Sequence, residues 1–170
     1  HGHYDHGGGL KTFLGKNSRA KVYVREQAFE PHYADRPDGN KAYIGLDTTL
    51  LPNERFVFCG QHQKIDEELE LFSAVREVMP APSGNAELYR KAGEDFLPDD
   101  FSHEHNLVIW QNGRALLIAG CAHRGILNIL RQFESDHGRF PDIVVGGFHL
   151  HSRGSGKSEA PEAVDALARE

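Results

Sequence analysis

Apolar and polar positions are most clearly organised in the second half of the chain. Two apolar runs, 106–110 (NLVIW) and 114–120 (RALLIAG), flank an Asn112-Gly113 pair. Because Asn-Gly favours the tight turn of a hairpin, this pattern predicts two antiparallel strands. Apolar residues at helical spacing follow and predict a helix that ends at Gly138: Ile126, Leu127, Leu130 and Phe133. Residues 141–151 (PDIVVGGFHLH) predict a buried strand that runs into a Gly-Gly turn.

The first half is less regular. Leu10, Phe13 and Leu14 lie at helical spacing after three glycines, which predicts a helix start. Short β-rich runs at 20–24 and 54–60 predict strands. The segment 65–78 (IDEELELFSAVREV) fits a short helix or a strand with a turn, and the pattern does not choose between them.

Two polar stretches, 26–47 and 80–100, are interrupted by proline and glycine and are expected to be long loops. Long loops in compact domains are often binding loops, so residues 31–50 and 80–100 are candidates for a substrate lid. Residues 158–170 (SEAPEAVDALARE) predict a last helix, with Ser158 or Glu159 near its start. In the second half of the chain, strands alternate with helices, which indicates the α/β class, with helices layered on a sheet.

Composition limits the class of protein. The 170 residues suit one domain (1–170), and a net charge of −6 argues against nucleic-acid binding. The sequence contains no apolar run of membrane-spanning length and no signal-peptide pattern, and its two cysteines are too few for a disulfide framework. We therefore expect a cytoplasmic protein that acts on a small molecule; its oligomeric state is left open. The only methionine is Met79, so we expect the chain to be a piece of a longer protein.

The chain opens with a dense group of potential metal ligands: His1, His3, Asp5 and His6. In an extended segment, His1, His3 and Asp5 share one face and can converge, while His6 faces a neighbouring point. Imidazole and carboxylate suit zinc, iron or manganese, and four such groups suggest two adjacent ions. The alternatives are a tag remnant and a solvated loop, but neither explains the glycines that lead into an amphipathic helix.

Further candidates follow apolar strands. Cys121 and His123 follow one strand in GCAH, and His149 follows another in GGFHL, with His151 two residues later. Alone, each such residue is more often structural, but two strand ends together with the opening group favour ligation by His123 and His149. Cys121 remains either a ligand or a small core residue. Any one of three further residues could reach the same rim: His103, Glu104 and His105. Three histidines are expected in loops or on the surface: His32, His62 and His137.

HGHYDHGGGL (1–10) resembles the His-x-His-x-Asp-His signature of the metallo-β-lactamase fold. Residues 20–33, 120–130 and 144–150 are similar to the branch that includes 7,8-dihydropterin-6-methyl synthase, the ribofuranosylaminobenzene 5′-phosphate synthase-like metal-dependent hydrolases. This resemblance implies an αββα sandwich with a dinuclear metal centre at one edge. The family has a β segment before the signature and a strand after the last helix, so we expect the domain to be incomplete at both ends.

The resemblance also implies roles for individual residues. His1, His3 and His123 would bind the first ion. Asp5 and His6 would bind the second, Cys121 would lie near a bridging or second-site position, and His149 would be a ligand or substrate contact at the rim. The ions are expected to be Zn²⁺, with iron or manganese as alternatives.

We therefore expect a hydrolase that uses metal-activated water on an ester, with a phosphate-bearing or pterin-related substrate. Asp5 would orient that water or transfer a proton. Arg124 and the start of the helix after it are candidates for holding a phosphate or carboxylate. Two other functions use the same fold: a non-catalytic metal-binding scaffold or sensor, and a di-iron redox protein.

Overall fold

The computed structural model describes residues 1–151 and, beyond them, Gly156, Ser158, Glu159, Pro161, Val164, Asp165 and Arg169. Within residues 1–151 the α-helices are α1 (Tyr4–Gly7), α2 (Leu10–Lys16) and α3 (Ile126–His137). The strands are β1 (Val22–Val24), β2 (His32–Asp35), β3 (Lys41–Tyr43), β4 (Phe56–Phe58), β5 (His62–Lys64), β6 (Leu69–Ser73), β7 (Leu88–Ala92), β8 (Asp95–Pro98), β9 (His105–Gln111), β10 (Arg114–Ile118) and β11 (Ile143–Val145).

A five-stranded sheet in the order β11-β10-β9-β6-β5 forms the centre of the fold. The predicted hairpin is β9 and β10, which pair antiparallel. Asn112 and Gly113 have φ of 52° and 74°, the left-handed values that an Asn-Gly hairpin turn requires. The ambiguous segment 65–78 contains strand β6, which pairs with β9. The hairpin therefore sets the register for the middle of the sheet.

The predicted helix α3 packs on this sheet and closes the main core. Ile126, Ile129 and Phe133 pack with residues of β6, β9 and β10, and Ile129, Phe133 and Leu117 are fully buried. The helix ends where Gly138 adopts φ of 71° and donates its N–H to the carbonyl of Glu134. This core supports the strand end that carries Cys121 and His123.

The two polar stretches expected to be loops instead form a four-stranded antiparallel sheet, so that prediction is wrong. Its order is β3-β2-β7-β8. The strands are short, and inward positions are held by polar residues as well as apolar ones: His32 and Ala34 are both buried on β2. A polar residue at a buried position hides the alternation that identifies a strand.

A parallel pair of strands, β1 and β4, lies beside α2. Leu10 and Leu14 of this helix pack against Val24 and Phe56 as predicted, whereas Phe13, predicted on the same face, is exposed. This small core also contains Ala28, which is fully buried and lies next to the start of the chain. The packing therefore positions the segment that carries the opening histidines.

Strand β11 does not match the prediction of a buried strand. In the described part of the chain it pairs with one neighbour, β10, and Ile143 and Val145 are about half exposed. Of the three residues of β11, Val144 packs on the main core, because successive side chains of a strand point to opposite faces of the sheet. Most of the helix predicted at 158–170 lies outside the described residues. No helix in the described part of the chain combines the length and hydrophobicity needed to cross a bilayer.

Candidate metal centre

Six potential ligands from three parts of the chain meet at one end of the central sheet. We call them the histidine–cysteine cluster: His1, His3, His6, Cys121, His123 and His149. Within it, three sets each have ligand atoms no more than 4.8 Å apart: His1, His3 and His123; His1, His6 and Cys121; and Cys121, His123 and His149. The sets share members, and Cys121 joins two of them. The sequence motifs thus come together in space as their chemistry suggested.

The opening segment is held in place by its backbone. A Cβ on Gly2 would lie 2.5 Å from the carbonyl oxygen of Ala28, so only glycine fits this approach. The N–H of Gly2 donates to Nδ1 of His103, and the N–H of Tyr4 donates to the carbonyl of Ile44. His1 and His3 are thereby fixed on either side of a glycine, and a larger residue in its place would displace the backbone here or at Ala28.

Asp5 does not share a face with His1 and His3, because the chain turns into α1 directly after His3. The N–H groups of His6 and Gly7 both donate to the carbonyl of His3. This turn carries His6 back toward His1, with ring centroids 4.1 Å apart, while the Asp5 side chain stays half exposed. The expected extended geometry is therefore wrong beyond His3. Asp5 lies at the mouth of the site, with its Oδ2 4.0 Å from Nε2 of His6.

His123 lies on a tight loop between β10 and α3. Ala122 has φ of 54°, a strained left-handed value for a residue with a side chain. The carboxylate of Glu104 accepts the N–H groups of His123 at 2.7 Å and Arg124 at 3.0 Å. Burial raises the pKa of the Glu104 carboxyl although both hydrogen bonds oppose this shift. Glu104 therefore supports the loop from below rather than reaching the rim as a ligand.

His149 reaches the cluster through the turn after β11. A Cβ on Gly146 would lie 3.1 Å from the carbonyl oxygen of Gly120, so the two strand ends approach closely here. His149 itself has φ of 49°, and its ring centroid lies 4.3 Å from that of His123. The Gly-Gly pair thus allows the two strand-end histidines to meet.

The donor atoms of this cluster fit a metal ion. Nε2 atoms of His1, His123 and His149 are buried without a hydrogen-bond partner, a costly state for a polar atom. Burial lowers the pKa of His123 well below its ordinary value, and the nearby His149 and His3 lower it further. Burial likewise lowers the pKa of His149. Neutral imidazoles with unpartnered nitrogen atoms, beside a sulfur, are a donor set suited to zinc.

A second buried group lies beneath the cluster and centres on Asp99. Its Oδ2 lies 3.4 Å from Nε2 of His3, 3.1 Å from Nδ1 of His32 and 3.2 Å from Nε2 of His103. Burial alone would raise the pKa of Asp99, but hydrogen bonds with these histidines outweigh it and hold the pKa well below its usual range. Asp99 is therefore a buried carboxylate that accepts from three rings.

The Asp99 group is a hydrogen-bonded support rather than a third ion site. Nδ1 of His103 accepts the Gly2 N–H, so the hydrogen of this neutral ring is on Nε2 and points to Asp99. A protonated Nε2 has no lone pair for a metal. The buried His32, with 1% of its surface exposed, is thus part of the support, and its prediction as a loop or surface residue is wrong.

The remaining histidines are spread out. His62 is exposed on β5, and His137 ends α3 with its Nε2 3.3 Å from Glu70. His105 begins β9, and burial lowers its pKa to about 4. His151 lines the cavity above the cluster, and its Nδ1 lies 3.1 Å from the hydroxyl of Ser158.

A cavity of about 250 Å³ opens over the cluster. Its wall is formed by four members of the cluster together with residues of α1, of the four-stranded sheet and its loops, and of the turn before β7: His3, Tyr4, Asp5, Ala34, Asp35, Arg36, Ile44, Gly84, Glu87, Leu88, Cys121, His123, His149 and His151. Among these described residues Arg36 is the one arginine or lysine. Both segments considered as lids contribute to this wall, through Ala34 and Asp35 of β2, Leu88 of β7 and residues of the adjoining turns.

Arg124 is not positioned to hold an anion in this cavity. Its guanidinium donates to the carbonyl of Val75 from two nitrogen atoms and to the carbonyl of Asp100 from the third. These bonds fasten the loop after β6 to the loop before β9. The expectation that Arg124 binds a phosphate or carboxylate is therefore not supported by its surroundings.

No protein-family model matches this chain. The uncharacterized protein MJ0448 of Methanocaldococcus jannaschii is 29% identical over 157 residues, which cover 88% of this chain and 56% of that protein. The crystal structure of Tm1679, described as a metal-dependent hydrolase of the beta-lactamase superfamily, superposes with a TM-score of 0.79 and 26% identity. The match covers 99% of this chain and 60% of that one. The chain thus spans less than two thirds of either protein, and the predicted metallo-β-lactamase-like α/β fold is confirmed.

Proposed function

We propose that this chain carries the metal centre of a metal-dependent hydrolase that cleaves an ester. One observation carries the proposal: His1, His123 and His149 each have a buried Nε2 atom without a partner, and each belongs to a ligand set that contains Cys121. Cys121, His123 and His149 also line the cavity. A structural cluster would satisfy these atoms with hydrogen bonds, as the Asp99 group does. The similarity to Tm1679 supports the same conclusion, because that protein is described as a metal-dependent hydrolase.

The ligand sets suggest two ions. His1, His3 and His123 would hold the first, and His6 with Cys121 would hold the second. His149 and Asp5 are further ligand candidates on the side of the cavity, where both line the wall. Zinc is the ion we propose, since nitrogen and thiolate sulfur are its usual protein ligands.

Bound divalent ions supply Lewis acidity, which lowers the pKa of water and polarises a carbonyl or phosphoryl oxygen. The protein's own groups supply position and proton transfer. Asp5 is a half-exposed carboxylate at the cavity, so it can orient a water molecule or accept its proton. The Asp99 group holds His3 from beneath and limits its movement.

The cavity suits a small ester with an anionic group. Its volume of about 250 Å³ is just below the range usual for small-molecule sites, which favours a compact substrate. Arg36 replaces Arg124 as the candidate contact for a carboxylate or phosphate, since it lines the wall. A phosphate-bearing or pterin-related ester meets these requirements.

The test combines metal analysis with an ester panel. The protein is expected to bind about two zinc ions and to hydrolyse bis(p-nitrophenyl) phosphate, p-nitrophenyl phosphate or a lactone. His3→Ala should lose metal and activity, whereas His62→Ala, at an exposed position on β5, should lose neither. Absence of bound metal would contradict the proposal. Two ions with no turnover and an iron absorbance band would favour the redox alternative instead, and two zinc ions with no turnover would favour the scaffold.

A further inference from the structure

Asn85 makes two hydrogen bonds to the same residue, His123. Its Nδ2 donates to the backbone carbonyl of His123 at 2.7 Å. Its Oδ1 lies 3.0 Å from Nδ1 of the His123 ring. The two residues are 38 positions apart, so the contact joins the turn at Ser83–Glu87 to the loop after β10.

These two bonds determine where the ring hydrogen is. A carbonyl oxygen only accepts, so the amide group of Asn85 must present Nδ2 to it. The other end of the amide is then Oδ1, which also only accepts. In the neutral ring, Nδ1 of His123 must therefore carry the hydrogen, and Nε2 is left with a lone pair. This Nε2 atom is one of the buried atoms without a partner.

Two further contacts of His123, with Glu104 and with Phe101, do not select between its ring nitrogens. Glu104 accepts the backbone N–H, which holds the loop but does not touch the ring. Phe101 stacks on the ring with centroids 4.6 Å apart and planes at 4°. Stacking fixes the plane of the imidazole, and a half-turn about the bond from Cβ to Cγ would preserve it. Among these contacts, the choice of nitrogen comes from Asn85.

We propose that Asn85 is a positioning residue that keeps His123 as the Nδ1–H tautomer and directs the Nε2 lone pair toward the metal. This inference rests on the proposed function for one point, that the Nε2 lone pair binds a metal ion. The tautomer itself is a property of the metal-free protein. The same turn contributes Gly84 to the cavity wall. The turn therefore acts as a support for the ligands, and its residues need not touch the metal.

The first experiment measures the histidine tautomers of the metal-free protein by long-range ¹H–¹⁵N NMR correlation. His123, assigned through its backbone resonances in the unmodified protein, is expected as the Nδ1–H form. In Asn85→Ala, the Nε2–H form should become populated, since the acceptor for Nδ1 is removed. An Nε2–H form of His123 in the unmodified protein would overturn the proposal, even if every variant failed to fold.

The second experiment measures zinc affinity by competition with a chromophoric chelator. Asn85→Ala should weaken binding about 10–100-fold, the usual effect of removing a group that orients a ligand. Asn85→Asp keeps an acceptor for Nδ1 but loses the donor to the carbonyl, so it should restore both the tautomer and most of the affinity. The control is Ala86→Ser, at an exposed position on the same turn, which should bind as the unmodified protein does.

Two results would contradict the role of Asn85. Equal loss of affinity in Asn85→Asp and Asn85→Ala would show that the bond to the backbone matters and the bond to the ring does not. Unchanged tautomer and affinity in Asn85→Ala would show that the residue has no positioning role. Absence of zinc binding by the unmodified protein would refute the proposed function and leave the tautomer measurement as a valid test.

Discussion

The backbone N–H of Gly2 donates to Nδ1 of His103 at 2.8 Å, across 101 positions of sequence. This bond joins the opening segment to the buried Asp99 group, because Nε2 of the same ring faces Asp99. The glycine between the first two histidines is thus as much a part of the site as its neighbours. Its backbone fixes the tautomer of His103, and its lack of a side chain allows the close approach to the backbone of Ala28.

Gly2→Ala is expected to destabilise the protein by about 1–3 kcal/mol, because the new Cβ would overlap the backbone of Ala28. Thermal unfolding measures the effect, and zinc affinity should fall with it as His1 and His3 are displaced. Gly15→Ala in α2 is a matched control: a Cβ there meets nothing within 4 Å, so it should stabilise the helix by about 0.5–1 kcal/mol. If Gly2→Ala were as stable as the control, the close approach would not be a constraint.

Asp99→Asn should lower the free energy of unfolding by about 3–5 kcal/mol, the usual cost of removing one partner from a buried ionic network. His3, His32 and His103 would lose the carboxylate that accepts from them. Urea denaturation of the metal-free protein measures the loss. Asp38→Asn, in an exposed turn, should change stability by no more than about 0.5 kcal/mol. Similar values for the two variants would show that the Asp99 network contributes little.

Arg36→Gln and Arg124→Gln are expected to have different effects. Arg36 lines the cavity, so its loss should raise KM for an anionic ester about tenfold relative to a neutral ester, equivalent to about 1.4 kcal/mol. Arg124 bonds to the carbonyls of Val75 and Asp100, so its loss should lower the melting temperature and leave the ratio of the two KM values unchanged. A selective KM effect in Arg124→Gln would restore the sequence-based expectation for this residue.

The metal-free protein should lose stability in acid through its buried histidines. Burial lowers the pKa of His103 and that of His105 to about 4, against an ordinary value of 6.5. The unfolded chain therefore binds more protons below about pH 6.5, and the free energy of unfolding should fall from there to about pH 4. Each group contributes a slope of at most about 1.4 kcal/mol per pH unit. His105→Gln should make the slope shallower; a slope that is unchanged would place this histidine outside the titration.

The parts of the fold that the sequence predicted are those whose apolar pattern is local. Asn112-Gly113 between two apolar runs specified the β9–β10 hairpin, and four apolar residues before Gly138 specified α3. The β2–β3 hairpin of the four-stranded sheet was missed since His32 occupies a buried position that normally holds an apolar side chain. Its burial depends on Asp99, which lies 67 positions away and becomes a partner only in the folded chain.

The residues of the candidate site also divide into those with a local sequence signal and those identified only by long-range contacts. Histidines and a cysteine next to strand ends were identifiable because their residue types and spacing are typical of metal ligands. Asn85 had no such signal, as asparagine in a polar, glycine-containing stretch is ordinary turn composition. Asp99 follows Pro98 and precedes Asp100, so its sequence resembles a solvated turn. Supporting residues of this kind are recognised by what they contact, and those contacts are long-range.

The four-stranded sheet also has a consequence for how this cavity could change. Ala34 on β2 and Leu88 on β7 face the cavity from neighbouring strands that are held together by backbone hydrogen bonds. Such bonds do not depend on which side chain each residue carries. The two side chains also belong to the buried group that contains Phe101, the ring stacked on His123. A larger or smaller residue at either position would therefore change the cavity wall and the packing behind His123 together.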